Sequence, residues 1–95
     1  MADYLVSYDV ETVTREGRRR LRRVARVCED YGQRVQNSVF ECELSEKNWA
    51  ELRLRLLDEI LPQEDSLRFY FLETDTRVEH HGAKEPRDLS APLII

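Results

Sequence analysis

The feature that most constrains this chain is an apolar run near its start that ends in a carboxylate. The run, Tyr4 to Val10, is rich in aromatic and β-branched residues and contains neither Gly nor Pro. These properties predict a β-strand over about residues 3 to 11 that is buried on both faces. Asp9 is the exception, because an acid in a core loses hydration unless it has a cationic partner or lies at the rim. We therefore predict a functional site at the C-terminal end of this strand.

The composition is that of one globular domain. The chain has 95 residues, of which 41% are hydrophobic and 36% are charged. No apolar run approaches the roughly 20 residues of a membrane span, and the N-terminus lacks the basic start of a signal peptide. We therefore expect a cytoplasmic protein without a membrane partner. Cys28 and Cys42 match no paired-cysteine metal spacing and are predicted to be buried reduced thiols.

Charge is distributed unevenly along the chain. The net charge is −4, yet residues 14–34 contain eight arginines and only three acidic residues. A segregated positive charge can attract a polyanion to one surface while the acidic remainder keeps the protein in solution. Lysine is nearly absent, and the planar group of arginine suits bidentate phosphate contacts, although genomic base composition would give the same bias.

The arginine-rich segment is predicted to form a helix that Thr14 caps and that stops at Gly32. Apolar residues recur at helical spacing and predict an inward-facing stripe: Leu21, Val24, Cys28 and Tyr31. The other side of the helix is predicted to carry a row of arginines with three more beside it: Arg15, Arg19, Arg22 and Arg26, flanked by Arg18, Arg20 and Arg23. All of them except Arg20 are predicted to bind nucleic acid, and so is Arg34. At 1.5 Å per residue the row spans roughly 16 Å, or about five base pairs of duplex backbone.

An alternative interpretation of this row is an ordinary solvated helix face. Such a face usually mixes both signs of charge, as the second helix is predicted to do with Glu51 and Arg55. Like charges at this density destabilise a helix on its own. We therefore favour an external anion, and phosphate is the anion that we expect.

The remaining elements are predicted in order along the chain. Residues 33–44 predict two short strands joined by a turn at Asn37 and Ser38. Ser45 is predicted to cap a second helix from Glu46 to Leu61, which ends before Pro62. Residues 66–73 predict an apolar strand in the centre of the sheet. Four aromatic residues are assigned to the core: Trp49, Phe69, Tyr70 and Phe71.

This order predicts the α+β, ferredoxin-like fold with the element order βαββαβ. Two helices cover one sheet face, so the other face needs a cover, and we predict a homodimer whose sheets face each other. The domain is taken as residues 1–95, with a core over 1–74 and a C-terminal dimerisation tail over 75–95. The apolar residues of this tail predict an extra edge strand that joins the partner's sheet: Leu89, Leu93, Ile94 and Ile95.

Four segments together resemble the CRISPR-associated protein 2 family. They are the strand that ends in Tyr8-Asp9-Val10, the arginine-rich helix, the stretch 34–41, and the late strand that begins at Asp65. The resemblance covers almost the whole chain. It implies a homodimer that acts in spacer acquisition, bridges copies of the integrase subunit, CRISPR-associated protein 1, and holds duplex DNA. Family members are also described as metal-dependent nucleases on RNA or DNA, which implies that Asp9 is both the catalytic residue and the metal ligand.

Mg²⁺ is the metal that we expect at Asp9, since it takes one or two carboxylates and completes its shell with water and phosphate. Two-fold symmetry can add the Asp9 of a second chain to the same cleft. Tyr8 and Ser38 are predicted as neighbouring substrate contacts, and the resemblance places Arg34 and Phe40 close by. Two structural interpretations of Asp9 stay open, namely an acid paired with an arginine at a dimer interface and a cap for the following turn.

Three functions therefore compete. The first is a nucleic-acid-binding scaffold that joins integrase subunits, and the second is a metal-dependent endonuclease on duplex DNA or single-stranded RNA. The third is a toxin-like ribonuclease of the same fold outside CRISPR immunity. The scaffold is the cellular function that we favour, with metal-dependent phosphodiester cleavage at Asp9 as an expected further activity.

Overall fold

The computed structural model describes residues 1–83, which form a four-stranded sheet with two helices. Its elements in chain order are β1 (Ala2–Asp9), α1 (Arg15–Glu29), β2 (Gln33–Gln36), β3 (Val39–Leu44), α2 (Glu46–Glu59) and β4 (Ser66–Leu72). The strand order is β2-β3-β1-β4, and every neighbouring pair is antiparallel. The predicted α+β, ferredoxin-like fold is therefore confirmed. The predicted extra edge strand, with Leu89, Leu93, Ile94 and Ile95, lies outside the described residues.

The central strand β1 carries the core on one face only. Tyr4, Val6 and Tyr8 are buried beneath the helices, whereas Leu5 and Ser7 on the other face are half-buried. The prediction that this strand is buried on both faces is therefore wrong for the described chain. The physical reason is that both helices pack on the same side of the sheet, so alternate residues of β1 have no layer above them.

Both helices begin where the sequence predicts. The hydroxyl of Thr14 accepts a hydrogen bond from the N–H of Gly17 at 3.0 Å, and Ser45 caps α2 in the same way. The second helix ends at Glu59, two residues before the predicted end, because Ile60 adopts an extended backbone ahead of the proline. Within residues 1–83 neither helix is long and apolar enough to cross a membrane.

The inward face of α1 differs in part from the predicted stripe. Val24 and Cys28 are buried as predicted, but Leu21 and Tyr31 are only partly buried against the core. Gly17 also lies on the buried face, and a β-carbon there would collide with the carbonyl oxygen of the loop that precedes the helix. The first turn of the helix therefore approaches this loop more closely than a larger side chain would allow.

The strand β4 lies at the edge of the described sheet, not at its centre as predicted. Trp49 of α2 packs edge-to-face on Phe69 and Phe71, with ring centroids 4.8 and 5.4 Å apart. Phe71 nevertheless remains 68% exposed and Tyr70 41% exposed, so their assignment to the core is wrong. An edge strand has a neighbour on one side only, and Tyr70 points to the sheet face that the helices leave uncovered.

The two cysteines are buried free thiols, as predicted. Burial raises the pKa of Cys28 to about 12 and that of Cys42 to about 11. Both groups therefore stay protonated at neutral pH and act as small apolar side chains beneath the sheet.

Candidate nucleic-acid interface and candidate metal site

The outward face of α1 carries four exposed arginines in a row. Arg15, Arg19, Arg22 and Arg26, which we name the arginine ridge, are exposed, and within residues 1–83 none of them forms an ion pair. Three of them line a shallow groove together with Arg23. Unpaired like charges three or four positions apart repel one another, so the ridge presents a positive potential to an approaching polyanion.

The other three arginines predicted to bind nucleic acid have protein partners. Arg18 donates to two backbone carbonyls of the loop between β1 and α1, at 3.0 and 3.1 Å. Arg23 pairs with Glu59 at 2.8 Å, and Arg34 pairs with Glu29 at 3.3 Å. Exposed pairs of this kind contribute at most about 1 kcal/mol, so a phosphate can compete for these arginines. The binding role of all seven residues stays a prediction.

Arg20 belongs to a buried ion-pair network and not to the basic face. Its side chain is 7% exposed, and its Nε donates to Oδ2 of Asp65 at 2.9 Å. Its Nη2 lies 3.2 Å from Oδ1 of Asp65 and 3.4 Å from carboxylate oxygens of Glu11 and Glu64. The prediction that Arg20 lies beside the ridge is therefore wrong, because α1 turns this position toward the start of β4, where three acids surround it.

Asp65 is the centre of this network, although the sequence analysis did not identify it as a candidate functional residue. Its side chain has no exposed surface, and its carboxylate also accepts the backbone N–H groups of Glu11 at 3.1 Å and Leu61 at 2.9 Å. Burial by itself would raise the pKa of Asp65, but the hydrogen bonds from Arg20, Leu61 and Glu11 hold that pKa below its ordinary value. The one sequence signal for a buried acid was its position directly before an apolar strand. An acid at that position is equally typical of an exposed polar turn.

The predicted ion pair between Glu51 and Arg55 on α2 is not the one that forms. Arg55 instead bonds Asp30 at 3.1 Å, at the end of α1, and stacks over the ring of Tyr31 at 5.4 Å. Hydrogen bonds to Tyr31 and then to Asp30 raise the pKa of Arg55. The charged side chain of Arg55 thus links α2 to the end of α1. The ridge on α1 remains a face with positive charge only.

Asp9 lies at the C-terminal end of β1 and is exposed. Its neighbours Tyr8 and Val10 are buried beneath the helices, so alternation points Asp9 to the uncovered sheet face, beside Ser66 of β4. Within residues 1–83 Asp9 has no ion-pair partner. The interpretation of Asp9 as an acid paired with an arginine at a dimer interface stays a prediction.

The predicted substrate contacts form the packing behind Asp9. The N–H of Tyr8 donates to the carbonyl of Ser38 at 3.0 Å, which holds the turn between β2 and β3 against the end of β1. Tyr8 and Phe40 are buried with their ring centroids 6.2 Å apart, and Arg34 lies 5.1 Å above the ring of Phe40. Burial raises the pKa of Tyr8 to about 12, so its hydroxyl is neutral at physiological pH. Direct contact of these residues with a substrate stays a prediction.

Within one chain, the predicted metal site and the ridge lie on opposite sides of the sheet. Asp9 points to the uncovered sheet face, whereas the ridge lies on the outer side of the helix layer, across the sheet. In the described part of the chain, no three His, Cys, Asp or Glu side chains converge to hold a metal ion. Asp9 by itself fits only an ion that takes most of its ligands from water and phosphate, as Mg²⁺ does.

The fold and the ridge together define a small ferredoxin-like protein with a one-sided basic helix. The chain belongs to the family described as CRISPR associated protein Cas2, whose model matches residues 1–79. A CRISPR-associated endoribonuclease Cas2 of Chlorobaculum tepidum is 60% identical over 93 residues, covering 96% of this chain and 97% of that relative. A CRISPR-associated endonuclease Cas2 of Halalkalibacterium halodurans is 50% identical, covering 96% of this chain and 97% of that relative.

Solved structures agree with this assignment. The crystal structure of Streptococcus pyogenes Cas2 matches with a TM-score of 0.76 and 50% identity, covering 84% of this chain and 99% of that chain. A structure described as that of Cas2 matches with a TM-score of 0.72 and 30% identity, covering 99% of this chain and 97% of that chain. The family resemblance that the sequence predicts is therefore confirmed.

Proposed function

We propose that this protein is a nucleic-acid-binding homodimer of CRISPR adaptation, which holds duplex DNA and bridges copies of the integrase subunit, CRISPR-associated protein 1. The observation that carries the nucleic-acid part is the arginine ridge, whose four guanidinium groups have no acid partner within residues 1–83. Membership of the Cas2 family supports the CRISPR part. The two lines of support are independent, since the ridge is a property of this chain's own side chains.

The ridge suits the backbone of a duplex. It rises roughly 16 Å along α1, which is the length of about five base pairs. Phosphates would relieve the repulsion among its arginines, and planar guanidinium groups bind phosphate oxygens in pairs. Binding of this kind is independent of base sequence and weakens steeply with salt. Single-stranded RNA carries the same phosphates and is a second ligand class for this surface.

A second copy of the chain is the cover that we propose for the bare sheet face. This face places Tyr70 beside Leu5 and leaves Leu72 half-buried, so apolar surface stays accessible in one chain. Its burial stabilises a dimer by about 25 cal/mol per Å² of apolar surface. A two-fold axis across this face would bring two copies of Asp9 to one seam.

The predicted dimerisation role of the C-terminal tail is tested by deletion. Deletion of residues 89–95 should weaken the dimer in sedimentation equilibrium, and an unchanged dimer would contradict the role of the tail.

Phosphodiester cleavage at Asp9 is the second activity that we propose. The names of the endoribonuclease and endonuclease relatives support it. The exposed carboxylate of Asp9, without a cation partner in residues 1–83, supports it physically. Asp9 would hold Mg²⁺, which when bound polarises a phosphodiester and activates a water. The second carboxylate would come from the Asp9 of the other protomer.

The nucleic-acid interface is tested by reversing two ridge charges, Arg19→Glu together with Arg22→Glu. We expect duplex binding to be lost in fluorescence anisotropy, with an unchanged circular dichroism spectrum. The new acids stand three or four positions from Arg15 and Arg26, so the helix gains favourable pairs. The double variant Lys47→Glu, Arg53→Glu makes the same change in net charge on α2 and is the matched control.

Two outcomes would count against the interface. Wild-type affinity in the ridge variant would show that the ridge does not bind duplex. An equal loss in the ridge variant and in the α2 control would show that net charge, and not the position of the arginines, governs binding.

The nuclease is tested with Asp9→Asn and with metal chelation. Each should abolish cleavage by purified protein while duplex binding on the ridge is retained. Cleavage that persists in Asp9→Asn would assign the activity to another site or to a contaminant. The toxin-like alternative predicts growth arrest on expression and no binding to the integrase subunit, so pull-down with that subunit separates it from the scaffold.

A further inference from the structure

The uncovered sheet face carries one basic side chain among several acids. The strand register places Asp3 and Asp9 of β1 on this face together with Glu41 and Glu43 of β3. Arg68 of β4 is the one basic residue that the four strands of the described chain place there. Within residues 1–83 neither Arg68 nor any of the four acids forms an ion pair. The face therefore holds both members of an ion pair that does not form inside one chain.

Stacking on Tyr70 holds the guanidinium group of Arg68 away from Asp9. Arg68 is paired with Ser7 in the register of β4. Its guanidinium carbon lies 5.2 Å from the centroid of the Tyr70 ring, and Tyr70 is paired with Leu5, further along β1 from Asp9. The charge of Arg68 is thus held near the position of Leu5. The stack uses the flat face of the guanidinium group, so the N–H donors at its edge stay available to a pair of oxygens.

Glu41 lies at the same position along β1, on the other side of that strand. It is paired with Leu5 in the register of β3 and is half-buried. Glu41 lines a cavity of about 430 Å³ together with Asp3 and Glu43. None of these three carboxylates has an ion-pair partner in residues 1–83. The cavity is therefore complementary in charge to a guanidinium group that enters it from outside the chain.

A homodimer with facing sheets brings Arg68 and Glu41 together across the interface. Two facing sheets are exchanged by a two-fold axis that lies in the plane between them. An axis that runs parallel to β1 and directly over it covers the whole face and also places the two copies of Asp9 together. This rotation sets β4 of one protomer over β3 of the other without a shift along β1. The Arg68 guanidinium group, held near the position of Leu5, then lies over the partner's Glu41. Facing sheets are about 10 Å apart, a distance that an arginine and a glutamate side chain span together.

From this geometry we infer that Arg68 forms an ion pair with Glu41 of a second copy of the chain, twice in each dimer. The inference rests on the proposed homodimer and deepens it, because it names the residues that recognise the second copy. Such a pair is specific for one arrangement of the two sheets, since either member left alone would be a desolvated charge without a partner. The pairing also directs the one basic strand residue of this face away from Asp9. Both copies of Asp9 therefore keep their negative charge for a metal ion.

The test uses charge reversal in the full chain, with the dissociation constant of the dimer measured by sedimentation equilibrium. Arg68→Glu and Glu41→Arg should each raise that constant at least about thirtyfold, because each variant places like charges together at both pairs. The matched controls Arg53→Glu and Glu51→Arg make the same changes at exposed positions of α2 and should leave the constant unchanged. Unchanged circular dichroism spectra show that the variants keep the fold.

Mixing the two reversed variants separates a pair between chains from an effect on one chain. In a heterodimer of Arg68→Glu with Glu41→Arg, each of the two interface pairs again joins one arginine to one glutamate. An equimolar mixture, with one variant carrying a fluorescent label, should therefore form a heterodimer of nearly wild-type affinity. This recovery also shows that each variant folds, because an unfolded chain would not be recovered by its partner.

Three results would overturn the inference and leave the proposed dimer standing. A wild-type dissociation constant in Arg68→Glu would show that the second chain does not contact this arginine. Two weakened variants whose mixture fails to dimerise would show that Arg68 and Glu41 do not pair with each other. Recovery of Arg68→Glu by mixing with Asp9→Arg, and not with Glu41→Arg, would assign the pair to Asp9. A wild-type protein that sediments as a monomer would instead refute the proposed homodimer, and the inference with it.

Discussion

Adjacent arginines on α1 meet opposite surroundings. Arg20 is buried and bonded to Asp65, which lies 45 positions away in the sequence, whereas Arg19 is exposed and has no acid within residues 1–83. One step along a helix rotates the side chain by about 100°, which is enough to move it from the core face to the outer face. The comparison teaches that an arginine's role here is decided by which distant acids the fold brings to it, and not by its neighbours in the sequence.

The largest effect that this comparison predicts is on stability. Asp65→Ala leaves Arg20 buried without its main partner and removes the acceptor of two backbone N–H groups. Loss of one member of a buried pair costs about 3 to 5 kcal/mol. This loss in the free energy of unfolding is measured by urea unfolding at neutral pH and fixed protein concentration. Glu59→Ala, which removes the exposed partner of Arg23, is the control and should cost less than about 1 kcal/mol. Equal losses would break the distinction between the two kinds of arginine.

The same network predicts a response to acid. Burial opposes ionisation of Asp65, but the hydrogen bonds from Arg20, Leu61 and Glu11 outweigh it and lower the pKa of Asp65 from the ordinary 3.8. A carboxyl group whose pKa is depressed on folding stabilises fully above its unfolded value, and this stability is lost as pH falls through its folded value. The free energy of unfolding should therefore drop below about pH 4. Asp65→Asn, which has no proton to gain there, should show a shallower drop, and equal slopes would place the titrating group elsewhere.

The sharpest form of the comparison applies one substitution to two adjacent residues. Arg19→Gln should leave the urea midpoint unchanged and lower the salt slope of duplex binding by about 0.9, because one phosphate contact is lost. Arg20→Gln should lower the urea midpoint, and its folded fraction should keep the wild-type salt slope. A reversed pattern, with Arg20→Gln affecting the slope, would show that the buried network opens when nucleic acid binds.

Local patterns in the sequence predict most of the fold and the ridge. The caps at Thr14 and Ser45 and the turn at Asn37 depend on a few neighbouring residues, so a single sequence carries enough information to place them. The spacing of the ridge arginines is local in the same sense.

Tertiary packing decides the features that the sequence does not predict. The pairing of Arg20 with Asp65 joins residues 45 positions apart, and both residue types are usually found at a surface. The edge position of β4 also cannot be predicted from its sequence. An edge strand that packs on Trp49 has the same apolar side chains as a central strand. The position of Asp9 beside Ser66 follows only from the register of β1 with β4.

The smallest predicted effect concerns Arg23, which combines features of the exposed ridge arginines and of the acid-paired Arg20. It lines the groove of the ridge but is paired with Glu59 at 2.8 Å. Glu59→Gln should free Arg23 for phosphate and raise duplex affinity about twofold at low salt, since an exposed pair is worth less than about 1 kcal/mol. Asp58→Asn removes the same charge from an exposed neighbour that has no ion pair within residues 1–83. A rise in both variants would show a general field effect, whereas a rise in Glu59→Gln alone would show that the acid holds one arginine out of the interface.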